Sequence, residues 1–334
     1  MTVKPFGYFG KIPVSLYTVE NEMLSVSVTD YGAAMVSIIE KSTGKDILLG
    51  FDSAEGYVGH DAHIGGFIGR TANRIRGAEF TLNGISYKVD ANQYANNLHG
   101  GAIGFDRVMY DTRISGTSII CERMSPDGEM GYPGDLDVRV TYRLDGNTVI
   151  MKAEAKALNK DTLFAMTNHN YYNLDNSFTI RTHKVTIFAD QYADDAIDGV
   201  SVLPLKDVEN TPFDFRTEKP LGQDIEADDQ QLIVNRGYDH HFAIRGSGMR
   251  KFAVCRGEEI ELTIESNLPG MHMYTSNFMN GYVGKKNVVY LPQRAVCFEP
   301  EYIPNGINYE GVEQPIVRKG ETAVQIISMT VRKI

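Results

Sequence analysis

The sequence predicts an all-β protein, a large antiparallel sandwich or barrel in which helix is a minor component. Three observations carry this. Apolar and polar residues alternate with a period of two wherever a pattern exists. The 18 tyrosines and 15 phenylalanines favour strands, while 32 glycines and 12 prolines supply turns between short ones. No strand–helix–strand rhythm of the kind that builds parallel sheets is present.

In chain order, alternation predicts strands at Leu24–Val28, Asp137–Leu144, Thr148–Ala155, Lys184–Phe188, Glu259–Ser266 and Ala323–Val331. Turn chemistry stands at Leu82-Asn83-Gly84, Asp127-Gly128, Leu144-Asp145-Gly146-Asn147 and Pro304-Asn305-Gly306. One short helix is expected, at Asp224–Leu232, inside an acidic stretch. Glu209 to Gln231 reads as a polar excursion rather than a boundary, and neither a linker nor an internal repeat divides the chain. Residues 1–334 are therefore expected to form a single domain.

Bulk composition narrows the function. A formal net charge of −10 opposes binding to nucleic acid, and no local run of Lys and Arg overcomes it. No apolar stretch approaches the roughly 18 residues of a membrane span, and Met1 to Lys11 lack the apolar core of a secretory signal. Cys121, Cys255 and Cys297 are few, odd in number and far apart, which fits reduced thiols and a cytoplasmic setting. A neutral ligand recognised by hydrogen bonds remains open, and sugars meet that description.

Polar residues inside strand-like apolar segments are the informative ones, since each is costly to bury without a partner. Four segments qualify: Gly65 to Ile75 with Asn96 to Gly101; Ala165 to Leu174; Gly237 to Phe242; and Pro269 to Asn277 with Cys297 to Glu301. If residues 165–174 are extended, Thr167, His169 and Tyr171 share one face and Asn168 and Asn170 the other. By the same parity Cys297, Glu299 and Glu301 share a face. Glu299 follows the apolar run Ala295 to Phe298, as a partly desolvated acid or base would.

Each residue also has a plain structural reading. A lone histidine such as His169 is more often a hydrogen-bonded core residue than a catalyst, and a strand-end Glu299 is more often solvated or ion-paired. Gly65 to Gly69 lacks G-x-G-x-x-G spacing, so close backbone packing is the better reading than a phosphate cradle. Asn73 and Arg74 could bond loop carbonyls, and Asp239 could close a turn. His60-x-x-His63 and His240-His241 are the only candidate metal pairs, yet adjacent strand residues face opposite ways and no cysteine lies near either pair. No metal or organic cofactor is expected. A serine nucleophile in a G-x-S-x-G turn is absent.

Read together and in order, the segments resemble the aldose 1-epimerase (galactose mutarotase) family across nearly the whole chain. That family shows G-R-x-A-N-R-I, then L-H-G-G, T-N-H-x-Y-F-N-L, D-H-x-F, P-G-x-Q-x-Y-T-x-N and C-L-E-T-Q followed by P-D and an Asn. Here these stand as Gly69 to Ile75, Leu98 to Gly101, Thr167 to Leu174, Asp239 to Phe242, Pro269 to Asn277 and Cys297 to Asn308. Gly131 to Leu136 and Thr211 to Arg216 are secondary matches. Each string alone is weak; their order makes the set specific.

The resemblance implies one antiparallel β-supersandwich with an open cleft, and an isomerase that interconverts the α and β anomers of a free aldose such as galactose or glucose. It implies that His169 protonates the ring oxygen as general acid while Glu299 takes the anomeric hydroxyl proton as general base. Asn73, Arg74, His99, Tyr171 and Asp239 would hold sugar hydroxyls, and position 272 is a further sugar contact. The partner would be a small-molecule aldose, acted on by a monomer or homodimer.

The sequence departs from the pattern at His272 and Glu301, where the family usually has Gln, at Tyr172 for Phe, and at Asn305-Gly306 for Asp-Ala. None is the acid or the base. His272 bears on sugar preference, and Glu301 adds a second carboxylate on the Glu299 face, which tends to raise the pKa of one of the two. Two other readings stand beside this one. An epimerase of a phosphorylated hexose would need cations at the cleft, where these strings offer only Arg70 and Arg74. A non-catalytic sugar-binding protein would not need both His169 and Glu299.

Overall fold

The computed structural model describes residues 1–334. Its largest sheet has nine strands in the spatial order Asp111–Ser115, Ser118–Ser125, Leu136–Asp145, Thr148–Ala157, Thr322–Lys333, Ile260–Ser266, Arg250–Arg256, Lys184–Ile187 and Lys219–Pro220. A five-stranded sheet runs in sequence order through Thr2–Phe9, Ile12–Glu20, Leu24–Thr29, Met35–Glu40 and Lys45–Asp46. A second five-stranded sheet orders Lys206–Asp207, Ala189–Tyr192, Asp239–Ile244, Gly270–Tyr274 and Cys297–Glu301. Every pairing within these sheets is antiparallel.

The alternation explains the layers. In Leu136–Asp145 the even-numbered residues from Leu136 to Leu144 are buried and the odd-numbered ones turn outward. The strand meets Thr148–Ala157 across Gly146 and Asn147, Asp145 pairing with Thr148. Gly146 adopts φ +57°, which a side chain would strain. Val138, Val140, Tyr142, Met151 and Ala153 then join Val26, Val28 and Ile38 of the N-terminal sheet and Phe242, Met271, Met273 and Phe298 of the third sheet in one core. Each Val, Ile, Met or Phe among them contributes about 1.5–3 kcal/mol on burial.

All six expected strands are present with ends within a residue or two. The expected helix at Asp224–Leu232 is displaced. Asp224 instead holds Lys219 Nζ at 2.7 Å, and the helix runs Gln230–Asn235 from the Asp229 N-cap, whose carboxylate accepts from the Gln231 amide at 2.8 Å. A second short helix, Ala54–Val58, has no counterpart in the sequence reading. The polar excursion is tied in by Lys219–Pro220, which pairs with Lys184 and Val185 at the edge of the large sheet. No helix is long and apolar enough to cross a membrane.

Candidate active site

Register in the third sheet builds the floor of a cleft. His241 stands opposite His272, and His272 opposite Glu299; Asp239 pairs with Tyr274, and Tyr274 with Cys297. Directly opposed residues share a face, so Asp239, His241, His272, Tyr274, Cys297, Glu299 and Glu301 lie on one side. Phe242, Met271, Met273 and Phe298 lie on the core side. Period-two alternation thus sorts a polar floor from an apolar underside, and every residue of Cys297–Glu301 is buried because both sides are covered.

The walls come from two loops. Asn73 and His99 both sit at positive φ, +57° and +51°, and lock together: His99 N–H donates to the Asn73 carbonyl at 3.0 Å, and Asn73 N–H donates to His99 Nδ1 at 3.2 Å. His99 Nδ1 is therefore an acceptor, and the neutral ring carries its proton on Nε2. Gly100 allows the loops to approach, because a Cβ there would lie 2.0 Å from the Gly69 carbonyl oxygen. Gly65, at φ +69°, packs likewise on the Met35 carbonyl, as the close-packing reading expects. Arg74 donates from Nε to Gln93 Oε1 at 2.6 Å and from Nη1 to Asn73 Oδ1 at 3.3 Å.

The enclosed space is about 250 Å³ and is lined by all eight of the residues singled out in the sequence: Asn73, Arg74, His99, His169, Tyr171, Asp239, His272 and Glu299. A space of that size suits one small polar ligand. His169 Nε2 lies 3.7 Å from Glu299 Oε1. Its other nitrogen, Nδ1, is 3.6 Å from Cys297 Sγ. Burial pushes the Cys297 thiol well above its usual range, and the neighbouring Glu299 charge adds to this. The un-ionised thiol can donate to Nδ1 or accept from it, which leaves Nε2 to exchange a proton with Glu299.

Burial, and next the charge of His63, depresses His169 to about 3. Burial, reinforced by Asp239 and opposed by Arg74, lifts Glu299 well above the carboxylate range. Both groups resist charging, so the pair holds one proton over a wide pH window. His99 is pushed well below the imidazole range by burial and then by His63, and stays a neutral donor. For Asp239, burial alone acts upward, but the His272 hydrogen bond at 2.7 Å and the charges of His272 and Arg74 outweigh it and hold the carboxyl below its usual value.

Tyr171 lines the pocket, stacks on His169 at 5.0 Å and 16°, and donates its hydroxyl to the Ala62 carbonyl at 3.0 Å. Arg70 does not reach the cleft: it is buried, with Nε and both terminal nitrogens donating to Ser125, Pro126, Pro133 and Thr162 at 2.9–3.0 Å. The pocket keeps Arg74 as its cationic side chain besides histidine. Of the two candidate metal pairs, His60 turns Nδ1 to the Ala62 amide and stacks on Phe51. His240 lies on the core side against Phe213 while His241 faces Glu301. Donor atoms of His169, Cys297 and Glu299 do come within 4.8 Å of one another, but a metal there would need the thiol ionised and would occupy both proton-transfer groups.

His63 enters the sequence reading only as a possible metal ligand beside His60, and Asp106 does not enter it at all. Their side chains meet at 2.7 Å, buried, with the His63 ring 6.0 Å from that of His169 and 4.7 Å from that of His99. Forty-three residues separate them, and nothing in the local pattern marks their pairing.

A pocket of this size lined by groups that can bond hydroxyls suits a small sugar, and comparison with known proteins agrees. The sequence profile of the aldose 1-epimerase family matches residues 15–330. Galactose mutarotase of Bos taurus is 34% identical over 329 residues, 94% of each chain. Aldose 1-epimerase of Escherichia coli K12 is 33% identical over 321 residues, 92% of each. The crystal structure of galactose 1-epimerase from Lactobacillus acidophilus NCFM superposes with a TM-score of 0.91 at 26% identity, covering 99% of this chain and 98% of that one. The chain belongs to the aldose 1-epimerase family and is an isomerase of galactose mutarotase-like fold.

Proposed function

We propose that this enzyme interconverts the α and β anomers of a free, unphosphorylated aldose, with Glu299 as base and His169 as acid. The observation that carries this is the 3.7 Å approach of His169 Nε2 to Glu299 Oε1 at the floor of the pocket. The ring oxygen and the anomeric hydroxyl are both bonded to C1, so groups serving them must be neighbours. In the reactive form the proton shared by the pair sits on His169 and Glu299 is ionised. Glu299 takes the O1 proton as His169 gives its Nε2 proton to the ring oxygen, and the C1–O5 bond breaks to leave an aldehyde, a C5 hydroxyl, a neutral imidazole and a carboxylic acid. After rotation about C1–C2 the ring closes on the other face, with His169 taking the C5 hydroxyl proton and Glu299 returning its own to O1. Protons balance over the cycle, and the pair regains its starting state.

The remaining residues hold the sugar still while its reacting end turns. His99 offers the Nε2 proton, Arg74 its guanidinium, and Asp239 an ionised acceptor. Tyr171 keeps the His169 ring in plane. Arg74 as the single guanidinium of the cleft supports a neutral substrate over a phosphorylated one. Three buried free thiols, Cys121, Cys255 and Cys297, fit a cytoplasmic setting. Polarimetry of freshly dissolved α-D-glucose, α-D-galactose and other aldoses tests the reading, and one accelerated aldose supports it. A protein that speeds only hexose phosphates would overturn the substrate class.

A further inference from the structure

Beside Glu299, on the same face of the sheet but outside the pocket lining, lies a carboxyl group that the proton transfers do not use. Glu301 is 1% exposed, and Oε1 sits 3.3 Å from His241 Nδ1 and 3.6 Å from His272 Nδ1, while Oε2 has no partner. The place is built for it. Gly270 stands directly opposite Glu301 in register, and a Cβ at that glycine would lie 2.3 Å from His241 Cε1. The missing side chain is what admits the His241 ring and turns Nδ1 toward the carboxyl.

His272 links this carboxyl to the cleft. Its Nε2 meets Asp239 Oδ1 at 2.7 Å, so Nε2 carries a proton for the carboxylate. Nδ1 then faces Glu301 Oε1 with the Asn73 side-chain amide 3.2 Å away. Positions 272 and 301, both departures from the family pattern, are thus neighbours. Asn73 Oδ1 accepts from Arg74, so its Nδ2 donates to His272 Nδ1, and an ionised Glu301 beside that lone pair would be repelled; a proton held between Glu301 and His241 Nδ1 removes the repulsion.

We propose that Glu301 is a positioning residue which shares one proton with His241 Nδ1, stays uncharged beside the His272 Nδ1 lone pair and thereby holds His272 against Asp239, setting the affinity for the sugar. This rests on the reading of Asp239 as a sugar ligand. Burial first, and then the charges of Glu299 and Asp195, push Glu301 well above the carboxylate range, so the proton is present at neutral pH. The titratable and charged groups around it are His241 and His272 from the two neighbouring strands, Glu299 on its own strand, Asp239, Asp195 and Arg74. Rising pH removes the shared proton, and the sugar-binding floor loosens.

The test measures kcat and KM for an accelerated aldose from pH 6 to 9 with Glu301→Ala, Glu301→Gln, His272→Gln, the Glu301→Ala/His272→Gln double variant and Asp239→Asn. Glu301→Ala is expected to raise KM about tenfold, the usual effect of orphaning a buried polar group, with a much smaller change in kcat. Glu301→Gln retains a fixed N–H donor and is expected to recover most of that KM and to flatten its rise at alkaline pH. With Gln at 272, Glu301→Ala is expected to add less than about threefold, since the coupling has gone. Equal KM for Glu301→Ala and wild type would overturn the proposal, as would a Glu301→Gln variant as weak as Glu301→Ala or an undiminished effect in the double variant. If Glu301→Ala does not fold, the pH dependence of KM in Glu301→Gln decides alone. Failure of Asp239→Asn to raise KM would strike the sugar-site reading itself.

Discussion

Replacing Glu299 with glutamine removes basicity and little else. Gln keeps the size of the side chain and can hydrogen bond, but it cannot accept a proton at neutral pH. Losing one proton-transfer group costs about two to four powers of ten in rate, or about 3–5 kcal/mol of barrier. The structure places this site toward the upper end, because nothing can substitute for the lost base. Glu299 is 3% exposed, which leaves little room for a solvent base. Asp239 is held by His272 at 2.7 Å, and Glu301 does not line the pocket. Folding should not suffer, since burial disfavours the charge that the substitution removes. The assay is polarimetric relaxation of a fresh α-anomer at saturating sugar, with the solvent rate subtracted and a thermal melt alongside. A Glu299→Gln enzyme within tenfold of wild type, with Glu301→Gln inactive, would show that the base had been assigned two residues too early.

Three further outcomes are expected. Activity should survive a chelator such as EDTA, because the proton circuit runs through side chains alone; loss of activity restored by zinc would point instead to the His169, Cys297 and Glu299 donors. Arg70→Met should destabilise the fold by at least about 3 kcal/mol in urea titration, since it strips donors from the carbonyls of Ser125, Pro126 and Pro133; a loss under about 1 kcal/mol would refute that role. His240 is depressed to about 3 by burial, so the unfolded chain takes up its proton below about pH 6.5 and the folded one does not. Stability therefore falls with pH across that window, by about 2 kcal/mol from pH 7 to 5 for this one residue. His240→Asn should show a correspondingly smaller loss over the same range, and an identical slope would contradict the assignment.

Alternation made the strands legible, and parity within them made much of the site legible too. Cys297, Glu299 and Glu301 do share a face, because a pleated strand leaves no other arrangement, and His169 stacks on Tyr171 just past the end of the strand Thr167–Asn168. The opposite facing of His240 and His241 follows from the same rule. What failed had no period to betray it. Ala54–Val58 is too short for a helical repeat, and the Asp229 cap moved the second helix because one carboxylate found a backbone amide while Asp224 found Lys219. Arg70 lies four residues from Arg74 in one string, yet the loop sends one guanidinium into the core and the other into the cleft. His63 and Asp106 meet only through tertiary packing, as do Glu301 and His241, whose contact depends on the space left at Gly270.

The central claim is that His169 and Glu299 of this chain carry the anomeric exchange. The most direct measurement is the optical-rotation decay of freshly dissolved α-D-galactose and α-D-glucose against protein concentration, for wild type and for a His169→Asn/Glu299→Gln double variant of confirmed fold. The account predicts a relaxation rate that rises in proportion to wild-type protein, an unchanged final rotation, and a double variant no faster than buffer. A double variant as fast as wild type, or a final rotation that shifts with added protein, would contradict it.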